Sequence, residues 1–184
     1  LGRPFPAAFW TAISIPVIHQ IFVWIAWRLE LAYSATSRMI GFLGYMGVFF
    51  VLFGGRFVSL AWLAWLDRGS LGLAVVLQLI ITVPMVGLGI YAMYSVIRFF
   101  GLDRASGVDH FDSKYQNLPL VNRGIFRLTN NGMYLYAFFL FWAIAIGSNS
   151  SAALLVSAFS HAYIWVHFYA TEKPDMGYIY GSSQ

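Results

Sequence analysis

Cysteine is absent from the 184 residues, which excludes disulfides, thiolate metal sites and cysteine nucleophiles. Charge is scarce: 10% of the residues are Asp, Glu, Lys or Arg, against about 25% in an average soluble domain. Apolar runs do not alternate with polar residues, so a transmembrane β-barrel is disfavoured. The net charge of +4 rests on so few groups that it reads as a topology signal and an affinity for anionic headgroups; nucleic acid is not expected as a partner. The chain starts at Leu1 rather than methionine, and no signal peptide is recognisable in it.

Hydrophobic residues make up 60% of the chain and aromatic ones 19%. Several apolar runs reach the roughly 18 residues that a helix needs to cross a hydrocarbon core of about 30 Å. The expected fold is therefore an all-α integral membrane protein, a single polytopic domain over residues 1–184 with about five transmembrane helices. The spans are placed at 6–27, 40–66, 71–99, 133–146 and 152–169. Trp10, Trp24 and Trp27 flank the first as an interfacial belt, and Pro16 is a site where it can kink. In the second, Gly54 and Gly55 leave open one broken helix or a span plus a re-entrant piece. A long amphipathic segment from Gly101 to about Asn130 precedes the last two spans, which form a helical hairpin around the polar turn at 147–151. The tail from Thr171 is expected to hold a short ordered segment and then fray.

Basic residues are distributed unevenly along this pattern. Arg28, Arg38, Arg98, Arg104, Lys114, Arg123, Arg127 and Lys173 fall on one side, Arg3 and Arg68 on the other. The positive-inside rule makes the first side cytoplasmic, with the N-terminus outside and the long loop and C-terminus inside.

The stretch from Leu120 to Tyr134 runs from a polar, basic loop into an apolar helix. Its Leu120, Val121, Gly124, Ile125, Phe126, Arg127, Asn131, Met133 and Tyr134 resemble the signature of the small membrane methyltransferases, the phosphatidylethanolamine N-methyltransferase and isoprenylcysteine carboxyl methyltransferase group. Gly132 departs from it, standing where that group usually has proline. Three further pieces, in order, resemble the phosphatidylethanolamine branch: Gly87-Leu88-Gly89 on the third span, Gly107-Val108-Asp109-His110-Phe111 in the loop, and Glu172-Lys173-Pro174 with Ile179-Tyr180 in the tail. Lys173 is the second departure, replacing a usual glutamate. The resemblance covers roughly residues 84 to 180.

The resemblance implies methyl transfer from S-adenosylmethionine to a membrane lipid amine, phosphatidylethanolamine or its methylated derivatives. It implies cofactor contacts at Gly87, Gly89, Asn131, Tyr134 and Glu172. A carboxylate at Asp109 would orient a lipid ammonium and help remove its proton, with His110 as a second base. Arg123 and Arg127 would pair a lipid phosphate or the cofactor carboxylate. Each piece also has a plainer reading: helix packing for the glycines, a solvated loop acid for Asp109, a helix cap for an asparagine, an interfacial anchor for the arginines. Lys173 pointing inward would weaken the binding of a cationic donor; pointing outward it would meet headgroups. Two other functions stay open, an isoprenylcysteine carboxylate as acceptor, and a degenerate non-catalytic relative serving as a structural subunit of a membrane complex. The partners are then a membrane lipid and, left open, a homo-oligomer or a larger assembly.

Arg56 fits none of these motifs. A charge this far inside a span costs roughly 2.5–3.5 kcal/mol on insertion scales unless paired or hydrated, so it is expected to line a polar cavity or face a partner. His19, His161 and His167 also lie in or near spans. His161 and His167 are six residues apart, which does not place them on one helical face, and no metal site is expected.

Overall fold

The computed structural model describes residues 5–115, 118–119 and 121–181. Arg3, Leu120 and the last three residues of the tail lie outside them. Among the described residues the chain is helical, without strands. The main elements are α1 (Pro6–Tyr33), α2 (Ala35–Met39), α3 (Gly41–Leu66), α4 (Val75–Ser95), α5 (Leu102–Ala105), α6 (Phe139–Gly147), α7 (Ser151–His167) and α8 (Lys173–Tyr180).

Among the described residues four helices are long and apolar enough to cross a membrane: Pro6–Tyr33, Gly41–Leu66, Val75–Phe100 and Ser151–Tyr180. The fifth apolar helix, Met133–Gly147, is shorter, because its first turns belong to the polar end of the bundle. α1 and α4 run on through Pro16 and Pro84, and α3 continues unbroken past Gly54 and Gly55. The outward faces carry bare hydrophobic side chains, with Leu43, Val51 and Trp65 each at least 66% exposed. A surface of that kind is stable against lipid rather than water.

α1 packs against α3 and α7, and α4 against α6. Small residues permit the close approach, as expected where helices associate by packing within a membrane. Ala8 and Ala12 meet Leu60, Leu63, Ala153 and Val156 in the largest core cluster. Gly89 faces Leu140, whose Cγ would lie 2.7 Å from an added Cβ, so a larger residue there would push α4 away from α6.

Each end of the bundle is tied differently. At the hairpin end, Asp67 accepts hydrogen bonds from the hydroxyls of Ser70 (2.6 Å) and Ser150 (2.7 Å) and from the Ala152 N–H (2.9 Å). Asn149 bonds both the N–H and the C=O of Leu73 at 3.0 Å. The α3–α4 turn and the α6–α7 turn are thereby joined into one clasp. At the loop end, three helices widen into π-type turns, Val96–Phe100, Met133–Ala137 and Phe168–Glu172. Turns of this type leave backbone groups out of register and are common where helices carry functional side chains.

Candidate functional site

The loop end gathers side chains from four separate segments. Trp27, near the end of α1, donates from Nε1 to the Tyr45 hydroxyl at 2.9 Å, and that hydroxyl donates to the Ser106 carbonyl at 2.9 Å. Tyr45 is wholly buried. This relay fixes the loop after α5 against α1 and α3. Gly107 follows with φ +86, and an added Cβ would sit 2.3 Å from the Trp27 ring. Only glycine meets both demands, a left-handed backbone and an indole pressed against it.

The turn that follows, Val108–His110, delivers the two loop candidates. The His110 ring stacks on Trp27, centroids 3.9 Å apart and planes at 20°. Its Nδ1 lies 3.3 Å from Asp109 Oδ1, and its Nε2 lies 3.4 Å from Asp175 Oδ2. Asp175 comes from α8, is completely buried and pairs with Arg28 of α1 at 2.6 Å. Asp109 accepts from the Tyr180 hydroxyl at 2.9 Å. The tail helix is thus latched at two points one and a half turns apart, Asp175 and Tyr180.

Burial alone would lower the His110 pKa, but its bonds to Asp109 and Asp175 and their charges outweigh it and hold the imidazole above its ordinary value. Burial would likewise raise Asp109, yet the His110 contact and the Tyr180 hydroxyl hold it below the ordinary carboxylate value. In this arrangement His110 keeps a proton between two carboxylates instead of presenting a free lone pair.

The two shifts set a pH window for the latch. Asp109 contributes stability above its unfolded value of about 3.9, lost as pH falls through the lower folded one. His110 contributes below about 6.5, and its contribution disappears as pH rises through the higher folded one. Raising the pH from 6 to 9 is therefore expected to speed hydrogen–deuterium exchange in 173–180, after correction for intrinsic rates, and to leave Gly41–Leu66 unchanged. Equal protection of α8 at both pH values would refute a charge-held latch.

A second pairing joins the tail to the start of the fifth apolar helix. The Tyr134 hydroxyl donates to Glu172 Oε2, and the Tyr134 ring meets Trp165 and Phe168 edge-on, centroids at 6.0 and 5.7 Å. Two pieces that are far apart in sequence, Asn-x-Met-Tyr and Glu-x-Pro, come together here, just as Asp109 and Tyr180 do. The junction before Tyr134 is seated by Ser95, whose hydroxyl accepts from the Ile125 N–H at 3.1 Å. Gly124 fits over that serine, since a Cβ would lie 2.5 Å from Ser95 Oγ. Gly132, the departure from proline, lies against Ile125, with Cγ2 2.8 Å from an added Cβ.

The other candidates lie away from these contacts. Arg123 and Arg127 are exposed. Asn131 bonds through its backbone N–H to Thr129 Oγ1 at 3.2 Å, and among the described residues no side chain caps the helix that begins after Gly132. A side chain at Gly87 would meet nothing within 4 Å. Lys173 is exposed, its ammonium 5.6 Å over the Tyr169 ring, so the second departure does not put a cation among the carboxylates. Asp175 is the residue that sequence reading passed over. Its only signal was its position three residues after Glu172, on the same helical face.

A cavity of about 140 Å³ runs from these groups into the bundle. Trp27, Leu102, Ala105, Met133 and Tyr134 line it near the loop end, and Phe49, Phe53, Arg56, Phe57 and Phe141 further in.

A bundle of membrane-crossing helices whose loop and tail close over a carboxylate-rich end is the architecture of an integral membrane protein with an interfacial polar site. The family model for phospholipid methyltransferases matches residues 77–183, which contain every loop, junction and tail residue just described. The chain belongs to the phospholipid methyltransferase family. No curated protein and no solved structure matches it.

Proposed function

We propose that this protein transfers methyl groups from S-adenosylmethionine to a membrane lipid amine, phosphatidylethanolamine or its methylated derivatives. The observation that carries the reading is the convergence of Glu172 on Tyr134 and of Asp109 on Tyr180, which unites the pieces that resemble the phosphatidylethanolamine branch. The charge balance supports a cationic ligand. Asp109 and Asp175 are paired with Arg28 and His110, which leaves the Glu172 carboxyl, bonded to Tyr134, as the acidic group for a sulfonium to meet.

Bound S-adenosylmethionine would supply an electrophilic methyl group; the protein's part is to hold, orient and desolvate. Glu172, positioned by Tyr134, complements the donor's positive charge, and the rings of Tyr134, Trp165 and Phe168 offer π faces beside it. Asp109, held by His110 and Tyr180, orients the acceptor ammonium and passes one of its protons to water at the loop end, and the neutral amine then attacks the methyl group. Arg123 and Arg127, exposed beside the junction, face the lipid phosphates. In this reading the loop end is cytoplasmic, the N-terminus is outside, and the lipid arrives laterally between helices.

Purified protein reconstituted into phosphatidylethanolamine vesicles with methyl-labelled S-adenosylmethionine is expected to place label in the lipid fraction, and vesicles of phosphatidylglycerol alone are expected to stay unlabelled. Label in neither, from protein that melts cooperatively, would overturn the proposal.

A further inference from the structure

The cavity ends in a charge that nothing in the site uses. Arg56 is 4% exposed, halfway along α3. Among the described residues its Nε and one Nη atom have no hydrogen-bond partner. Its charge is compensated, among the described residues, by π density, the Phe138 and Phe141 rings with centroids at 5.4 Å each. His19 of α1, also 4% exposed, faces the same cavity, and among the described residues neither of its ring nitrogens nor the side-chain amide nitrogen of Gln20 beside it has a hydrogen-bond partner. His167 completes the polar set on the lining. A guanidinium buried in a span without a counter-charge is expensive enough to require a function, and several unsatisfied donors around one space indicate a missing acceptor. Arg56, His19 and Gln20 lie outside the stretch that the family model matches.

We propose that Arg56, His19 and Gln20 form a binding site for the carboxylate of a single-chain amphiphile, the first part of whose apolar body fills the aromatic cavity and the rest of which leaves it past Tyr134. The charge of the ligand follows from the site. One guanidinium among imidazoles and an amide balances one negative charge and leaves no surplus for a second, and its planar fork matches a carboxylate. The shape follows from the packing. Beyond Arg56, Phe57 lies on Phe141 with centroids 4.5 Å apart, and Leu60, Leu63 and Ala145 fill the bundle behind them. The deep end is therefore closed, so the anion must be terminal. A carboxylate ends its chain, whereas a phosphodiester carries substituents on both sides. The rest of the ligand is apolar, because Phe49, Phe53 and Met133 line the way out. The site requires no methyl donor, so its test is independent of the methyl-transfer reading.

The probe is [1-¹³C]dodecanoate added to the full chain in nonionic detergent, with carboxyl carbon NMR separating protein-bound from micellar signal. Wild-type protein is expected to show a bound resonance that excess unlabelled dodecanoate displaces and equal amounts of dodecanol and lysophosphatidylethanolamine do not. Arg56→Gln is expected to weaken binding at least tenfold, and Arg56→Lys to recover part of it. Phe53→Trp, which fills the cavity and keeps the charge, is expected to remove the bound signal as well, which covers the case in which Arg56→Gln fails to fold. A micellar signal alone, a bound signal retained in folded Arg56→Gln, or displacement by dodecanol or the lysolipid as readily as by dodecanoate would each overturn the assignment.

Discussion

Replacing Glu172 by alanine is expected to weaken S-adenosylmethionine binding by thirtyfold or more. Glu172 is half-buried, and its carboxylate is oriented by the Tyr134 hydroxyl. Loss of one partner from a hydrogen-bonded charge pair of this kind costs about 2–5 kcal/mol, and a factor of ten corresponds to about 1.4 kcal/mol. Calorimetric titration of the detergent-purified protein measures the effect directly. Tyr134→Phe removes the orienting hydroxyl and keeps the charge, so its loss is expected to be smaller, nearer tenfold. Equal affinity in wild type and Glu172→Ala would remove Glu172 from the donor site. Lys173→Glu, which restores the carboxylate usual in the family, adds its charge on the exposed face beside Tyr169, so the structure gives it no large gain.

Asp175→Ala is expected to be the most destabilising single change at the loop end, by about 3 kcal/mol. The side chain is completely buried between Arg28 and His110, and breaking a buried ionic contact by removing one member typically costs 3–5 kcal/mol. The Arg28 side chain is 42% exposed and recovers hydration, which places the effect at the lower end of that range. The Asp109–His110 contact remains, so the tail is released at one latch and kept at the other. Thermal unfolding of the variant, together with proteolysis in 173–181, separates these effects: Tm falls and cleavage rises, while the hairpin end, held by Asp67 and Asn149, is unaffected. A variant that melts with the wild type would mean that the buried carboxylate is structurally neutral.

The span pattern was legible because a hydrocarbon environment imposes its demand residue by residue. Long apolar runs must be helices there, since the backbone can satisfy its hydrogen bonds in no other local way. The polar turn at 147–151 was readable for a similar reason, although its clasp on Asp67 was not. The number of spans was less legible. Met133–Gly147 has the composition of a membrane helix, but its first turn is a widened one that carries Tyr134 to Glu172, and a hydropathy window cannot distinguish a helix that crosses from one that begins in a site.

What the sequence by itself determined is the class: an all-helical membrane protein, with ordered motifs that resemble, and belong with, the phospholipid methyltransferases. Composition and motif order are properties of the chain, and both survive without coordinates. The tertiary structure decided which motif residues act together. It brought Tyr134 to Glu172 and Asp109 to Tyr180, set Gly89 against Leu140, turned Lys173 outward, and added Asp175 and Arg28. It also gave Arg56 and His19 a shared cavity. These pairings join residues 37 to 147 positions apart along the chain, and the energy of a buried charge depends on what surrounds it in space, which no local pattern records.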